Sequence, residues 1–347
     1  MAANYWTSTQ RRFWLFTDSQ LASIRSSQMT QNNNALSQYP LPDRRHILIF
    51  LKEQLLRLSR RLPTRQQCLA TTLVYIHRYL LTHPLQNVNP YLLLTTAIYL
   101  ASKTEESPHH IRVVLGEARQ FWPEFVPGDV SRIGEMEFSL ISEMRSQLII
   151  WHPYRTLMEL RGPKEGAEGE DQGGGLDLTP EEANMAWNIV NDSYLTDLPL
   201  TCPPHVIAIM AIFVAVALQP SVKAPIPGRL PARFPLPNNP NDVIANNSPS
   251  ESLQGLGGRQ GISAALSSSL AGGGNADGGK VNGGAPIVAS ERMQQVIRFL
   301  AQSTVNLEQV INASQEILSL YEVWETYSER GVRDALTRVI RARGLDK

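Results

Sequence analysis

Apolar residues recur at spacings of three and four along most of the chain, as in helices with one face turned inward. The pattern is densest in residues 89–106. Asn89 suits a helix cap and Pro90 its first position, where no amide needs a partner. From Leu92 to Ala101 only Thr95, Thr96 and Tyr99 carry polar side-chain atoms, and a helix apolar nearly all round packs inside a bundle. Ala97 and Ala101, four apart, leave a flat strip that a neighbour can approach closely. Lys103, Glu105 and Glu106 then change the character abruptly. The expectation is a central helix whose last turn surfaces with charges.

The same periodicity predicts the flanking elements. Residues 1–28 read as a short helical arm with Trp6, Phe13, Trp14, Phe16, Leu21 and Ile24 as apolar contacts, and 29–42 as a Gln/Asn-rich loop. Asp43 caps a helix to about Leu62, with Ile47, Leu48, Leu51, Leu55 and Leu58 as its stripe. Thr64 or Arg65 opens a second, to Leu81. Beyond the central helix, Ser107-Pro108 breaks the chain, Ile111–Phe121 is a shorter helix, and 130–144 is a fifth. In that last one Val130, Ile133, Met136 or Glu137, Leu140 and Met144 are spaced three and four apart. Five helices in residues 43–150 make one all-α bundle.

The second half repeats the first. Shifted by 114 residues, Pro90 falls on Pro204, Leu93 on Ile207, Ala97 on Ala211, Ile98 on Ile212 and Ala101 on Ala215. The copies differ at their ends: Lys103 corresponds to Ala217. Thr179-Pro180-Glu181-Glu182 is a strong helix start. A second bundle is expected over 151–327, interrupted at 162–178 and 220–290, with a partly helical tail over 328–347. The 220–290 stretch is rich in Pro, then in Gly, Ser and Asn. Such composition does not offset a backbone ordering cost of roughly 1–2 kcal/mol per residue, so it reads as a disordered insertion whose removal leaves the fold nearly intact.

Charge and chemistry narrow the functional classes. The 347 residues hold 32 Lys plus Arg and 32 Asp plus Glu, a formal net charge of zero, which argues against a protein whose main work is gripping phosphate backbone. Cys68 and Cys202 suit a reducing compartment. No amino-terminal signal appears, and the longest apolar run, 206–218, is too short to cross a bilayer, so a soluble intracellular protein with no membrane contact is expected. Gly255-Leu256-Gly257-Gly258 follows no strand, His109-His110 lacks a second metal-ligating cluster, His152 reads as a structural hydrogen-bonder, and no nucleophile elbow is present. No cofactor, metal or catalytic residue is expected: the pattern is that of a binding module.

The remaining candidates are Lys103, Glu105, Glu106, Glu135 and Glu137. Glu137 lies on the helical rows of Ile133, Leu140 and Ile141, an inward position where an unpaired carboxylate is costly. A lysine at a neighbouring helix end relieves that cost, and a Lys–Glu pair at a bundle rim offers fixed donors and acceptors to a partner's backbone.

Tyr99-Leu100-Ala101-Ser102-Lys103-Thr104-Glu105-Glu106, followed by Glu135-Met136-Glu137-Phe138, resembles the cyclin box, and the two repeats resemble the two cyclin folds. The cyclin C family is the nearest likeness within cyclins. Ala3-Asn4-Tyr5-Trp6, Trp151-His152-Pro153-Tyr154-Arg155, Ile189-Val190-Asn191-Asp192-Ser193-Tyr194 with Thr196-Asp197-Leu198, and residues 317–324 carry it. It covers nearly all of the chain except 163–178 and 220–290, and the long insertion and the Asn4-Tyr5-Trp6 start look like fungal members.

The resemblance implies a nuclear, non-catalytic regulatory subunit. Its partners would be a cyclin-dependent kinase of the Mediator kinase module and other subunits of that module, with no direct nucleic acid. It implies that Lys103 and Glu137, with Glu106 and Glu135 beside them, bind the kinase, and that Trp6 and Glu105 line a groove for another module subunit. Trp6 reads equally well as simple packing. The substrate-docking patch of cell-cycle cyclins is absent: Ile47-Leu48-Ile49-Phe50-Leu51 stands there, which fits a transcriptional role. His77 and His83 stand where other polar or aromatic residues are expected. The competing reading is a double cyclin fold of the general-transcription-factor kind that contacts DNA.

Overall fold

A computed structural model describes residues 4–31, 38–162, 175–222 and 291–346; the inserts expected at 162–178 and 220–290 lie mostly outside these residues. The described residues are all-α, and no helix among them is long and apolar enough to cross a membrane. An amino-terminal arm holds α1 (Thr9–Phe13) and α2 (Asp18–Gln31). The first bundle is α3 (Arg44–Ser59), α4 (Gln66–Tyr79), α5 (Pro90–Thr104), α6 (Ile111–Phe121) and α7 (Val130–Glu143). The second is α8 (Tyr154–Leu160), α9 (Pro180–Ser193), a short α10 (Leu198–Thr201), α11 (Pro204–Val222), α12 (Glu291–Gln302) and α13 (Leu307–Glu325).

Each bundle is built round its most apolar helix. Asn89 Oδ1 accepts from the Tyr91 and Leu92 amides at 3.0 and 3.2 Å, with Pro90 opening α5. From Pro90 to Ser102 every residue but Tyr99 is buried, and α4 and α7 pack on this helix where Ala97 and Ala101 are wholly enclosed. In the second bundle α11 holds the same place against α9 and α13, with 206–218 buried apart from Phe213. The Thr179–Glu182 capping box starts α9.

Helix ends differ from the sequence expectation in the arm, in α11 and in the tail. α2 runs on to Gln31, into the stretch expected as loop. α11 runs on to Val222, into the stretch expected as an insertion from 220. The tail over 328–347 contains a full helix, α14 (Glu329–Arg343), capped by Ser328 and ended by Gly344 in the left-handed region at φ 62°. Val332, Ala335, Leu336, Val339 and Ile340 form its buried stripe, which returns to α3 of the first bundle. Five arginines among these residues mask that three-and-four spacing.

The bundles are locked together. Lys52 Nζ reaches Asp192 Oδ1 at 2.6 Å with both side chains almost wholly buried, and Tyr321 Oη donates to the other oxygen. His77, fully buried, has Nε2 on the Tyr194 carbonyl at 2.8 Å and Nδ1 facing Arg44. The arm straddles both halves: the Trp14 indole donates to Gln147 at 2.7 Å, Gln10 exchanges hydrogen bonds with the Trp151 backbone, and Arg25 forks onto Asp197 at 2.5 and 2.7 Å.

Candidate functional site

The last turn of α5 brings Lys103 against α7. Its ammonium pairs with Glu137 Oε1 and rests 4.4 Å from the centre of the Tyr99 ring. The Lys103 side chain is 37% exposed and that of Glu137 15%, so the pair sits at the rim, dry on the acid side and wet on the base side. The structure therefore joins these two. It keeps Glu106 and Glu135 apart from them: Glu106 is exposed, with φ of 53° just past the helix, and Glu135 is exposed and bound to Arg132 of its own helix. Phe138 on α7, 76% exposed, and Ile149 after its end, 72% exposed, are apolar groups left at the surface.

Glu105 turns the other way. It is the carboxy-terminal cap of α5, and its carboxylate accepts from Thr71 Oγ1 on α4 at 2.5 Å. His152, in the linker between bundles, places Nε2 2.8 Å from Thr71 Oγ1 and 3.8 Å from Glu105, and Nδ1 2.7 Å from Tyr194 Oη. Burial pushes the Glu105 carboxyl up, but interactions with His152, Thr71 and Gln67 outweigh it and hold the group below the usual carboxylate range.

A cavity of about 340 Å³ opens on the far side of His152. Tyr5, Trp6, Trp151, His152, Arg155 and His205 are among its walls. Asn4 caps the turn that carries Tyr5 and Trp6, accepting from the Trp6 amide at 3.0 Å. Trp6 is 54% exposed and lies 5.4 Å from the His205 ring. Burial pushes the Tyr5 hydroxyl up to about 12 and His205 down. Glu105 is not on this wall; it holds His152 from behind.

The remaining candidates take structural places. His110 Nδ1 caps α6 by accepting from the Arg112 amide, His83 stacks on Tyr79 at 4.4 Å, and no metal-holding cluster occurs among the described residues. All of Ile47-Leu48-Ile49-Phe50-Leu51 is buried, so that stretch offers no surface patch. Sequence reasoning missed Thr71, Trp151 and His205. Trp151 stood in a segment that carries the resemblance, and His205 left a signal of its own: the 114-residue shift sets it against Tyr91, a core aromatic of the first copy.

Residues 13–149 match the family model described as cyclin, N-terminal domain, so the class of the first bundle is that of the cyclins. Curated relatives span the whole chain and are themselves wholly covered. Those from Aspergillus oryzae and Emericella nidulans are 45% and 46% identical, and that from Neurospora crassa 39%; each is called an RNA polymerase II holoenzyme cyclin-like subunit. The chain belongs to this family of fungal, cyclin C-like proteins. Among solved structures, the yeast TFIIK (Kin28/Ccl1/Tfb3) complex is matched with a TM-score of 0.46 at 18% identity, over 60% of this chain and 85% of that one. The CAK complex of Chaetomium thermophilum bound to ATP-gamma-S is matched with a TM-score of 0.46 at 17% identity, over 97% and 94%.

Proposed function

We propose that this chain is the regulatory, non-catalytic subunit of a transcriptional cyclin-dependent kinase in the Mediator kinase module. Acting in the nucleus, it supports phosphorylation of the RNA polymerase II carboxy-terminal domain and of transcription factors. The observation that carries this is the Lys103–Glu137 pair at the rim of the first bundle. In cyclins the matching lysine and glutamate bind backbone around the kinase helix that carries the active-site glutamate. Glu106 and Glu135, exposed but not joined to the pair, are read as further acceptors for the kinase.

The mechanism is a population shift. The isolated kinase holds its helix out of place, and a partner that binds the in-position better moves the equilibrium by its differential affinity and no more. Moving it from 1:99 to 99:1 takes about 5.5 kcal/mol. One Lys–Glu contact at a half-wet rim does not supply that. Burial of Phe138 and Ile149, roughly 1.5–3 kcal/mol each, adds to the shift as far as it is made against the in-position alone. The Trp6 groove is read as the contact for another subunit of the module, with Glu105 fixing its wall.

The test is to add the purified chain to its isolated kinase with a polymerase-tail peptide. Phosphorylation is expected to rise with the unmodified chain and not with Lys103→Glu/Glu137→Lys. Equal stimulation by both chains would discard the reading.

A further inference from the structure

We infer that His152 is a positioning residue coupling the groove to the kinase-facing end of α5, an inference that rests on the function proposed above. Its ring shares the cavity wall with Trp6, Trp151 and His205, while both ring nitrogens are engaged away from it. Its side chain is only 4% exposed, so an occupant of the groove meets the ring and not a free nitrogen.

The hydrogen-bond directions follow from the acceptor at the end of the chain. Glu105, held ionised, only accepts, so Thr71 Oγ1 gives its one proton to it. Thr71 Oγ1 then accepts from His152 Nε2, which must carry the hydrogen. Nδ1 meets Tyr194 Oη at 2.7 Å, so the ring bridges the second bundle to Thr71. An unbroken hydrogen-bonded path thus runs from the second bundle to Glu105, and such chains polarise along their length.

Glu105 is also badly placed for a free acid. It caps the carboxy-terminal end of α5, where the helix dipole disfavours negative charge, so its position depends on these donors. Lys103 lies two residues before it and Glu106, in the left-handed region, directly after. Moving the His152 ring changes what holds Glu105 and hence the turn that presents Lys103 to Glu137. By linkage the effect is reciprocal: an occupant of the groove alters kinase affinity by the same factor as the kinase alters affinity for the occupant.

The experiment uses the full chain and the kinase that co-purifies with it. Thr156, on the groove wall, is replaced (Thr156→Cys) and labelled with fluorescein maleimide; Cys68 and Cys202 are buried and stay unlabelled. Kinase affinity is measured with and without label, in the native and His152→Leu backgrounds. The label is expected to change affinity by about fivefold or more in the native background, the low end of common allosteric couplings, and by less than about twofold with His152→Leu. His152→Gln, whose amide can donate to Thr71, is expected to restore the response, which a merely structural role would not do. If His152→Leu fails to fold, Thr71→Val interrupts the same chain one link later. No response in the native background, or the same response in all backgrounds, overturns the coupling. Kinase binding that survives Lys103→Glu/Glu137→Lys would instead overturn the function on which it rests.

Discussion

The two central helices descend from one pattern and use opposite ends. α5 closes its start: Tyr91 is buried and stacked 4.8 Å from Phe125, with Trp122 beside it. It opens its finish, where Lys103 reaches the rim. α11 does the reverse. At the position matching Tyr91 it sets His205 in the groove wall, and at the position matching Lys103 it buries Ala217 at 1% exposure. One copy ends in an ion pair at the rim and the other begins in the groove wall, while the middles of both are buried and apolar.

Exchanging residues between the copies tests this. The largest effect is expected from Ala217→Lys, which forces the first copy's charge into the closed end of the second. An uncompensated buried charge costs about 3–5 kcal/mol, read as a fall in urea or thermal midpoint. The reverse exchange, Lys103→Ala, is expected to cost less, because it leaves Glu137 unpaired at a partly exposed rim rather than placing a charge in the core. Equal destabilisation by both would break the comparison. The smallest effect concerns pH. The folded carboxyl of Glu105 lies below its ordinary value of 4.5, so its contribution is complete above that value and is lost as pH falls through the folded one. Glu105→Gln is expected to make acid unfolding shallower over that window, seen by circular dichroism.

Much of the fold was legible because helix caps and inward stripes are local signals. Asn89-Pro90, Thr179-Pro180 and Ile111–Phe121 fall where the sequence sets them. The Lys103–Glu137 pair was legible for a similar reason: Glu137 shares rows with Ile133 and Leu140, so a charge there demanded a partner. The groove was legible only through the resemblance and only at Trp6; its other walls were not, since Tyr5, Trp151 and His205 meet only when the arm lies across both bundles. Nor was the inward turn of Glu105. It lies past the last helical residue, next to a left-handed Glu106, where helical phase no longer says which way a side chain points. The helix α14 was obscured by its arginines, whose charged heads face water over an apolar stripe.

The most direct measurement is the affinity of the kinase for the unmodified chain and for Lys103→Glu/Glu137→Lys, which keeps a salt bridge but reverses its polarity. The account predicts binding weaker by about 2 kcal/mol or more, some thirtyfold, with helical signal and melting midpoint unchanged. Affinity within about twofold of the unmodified chain, at equal stability, would contradict it.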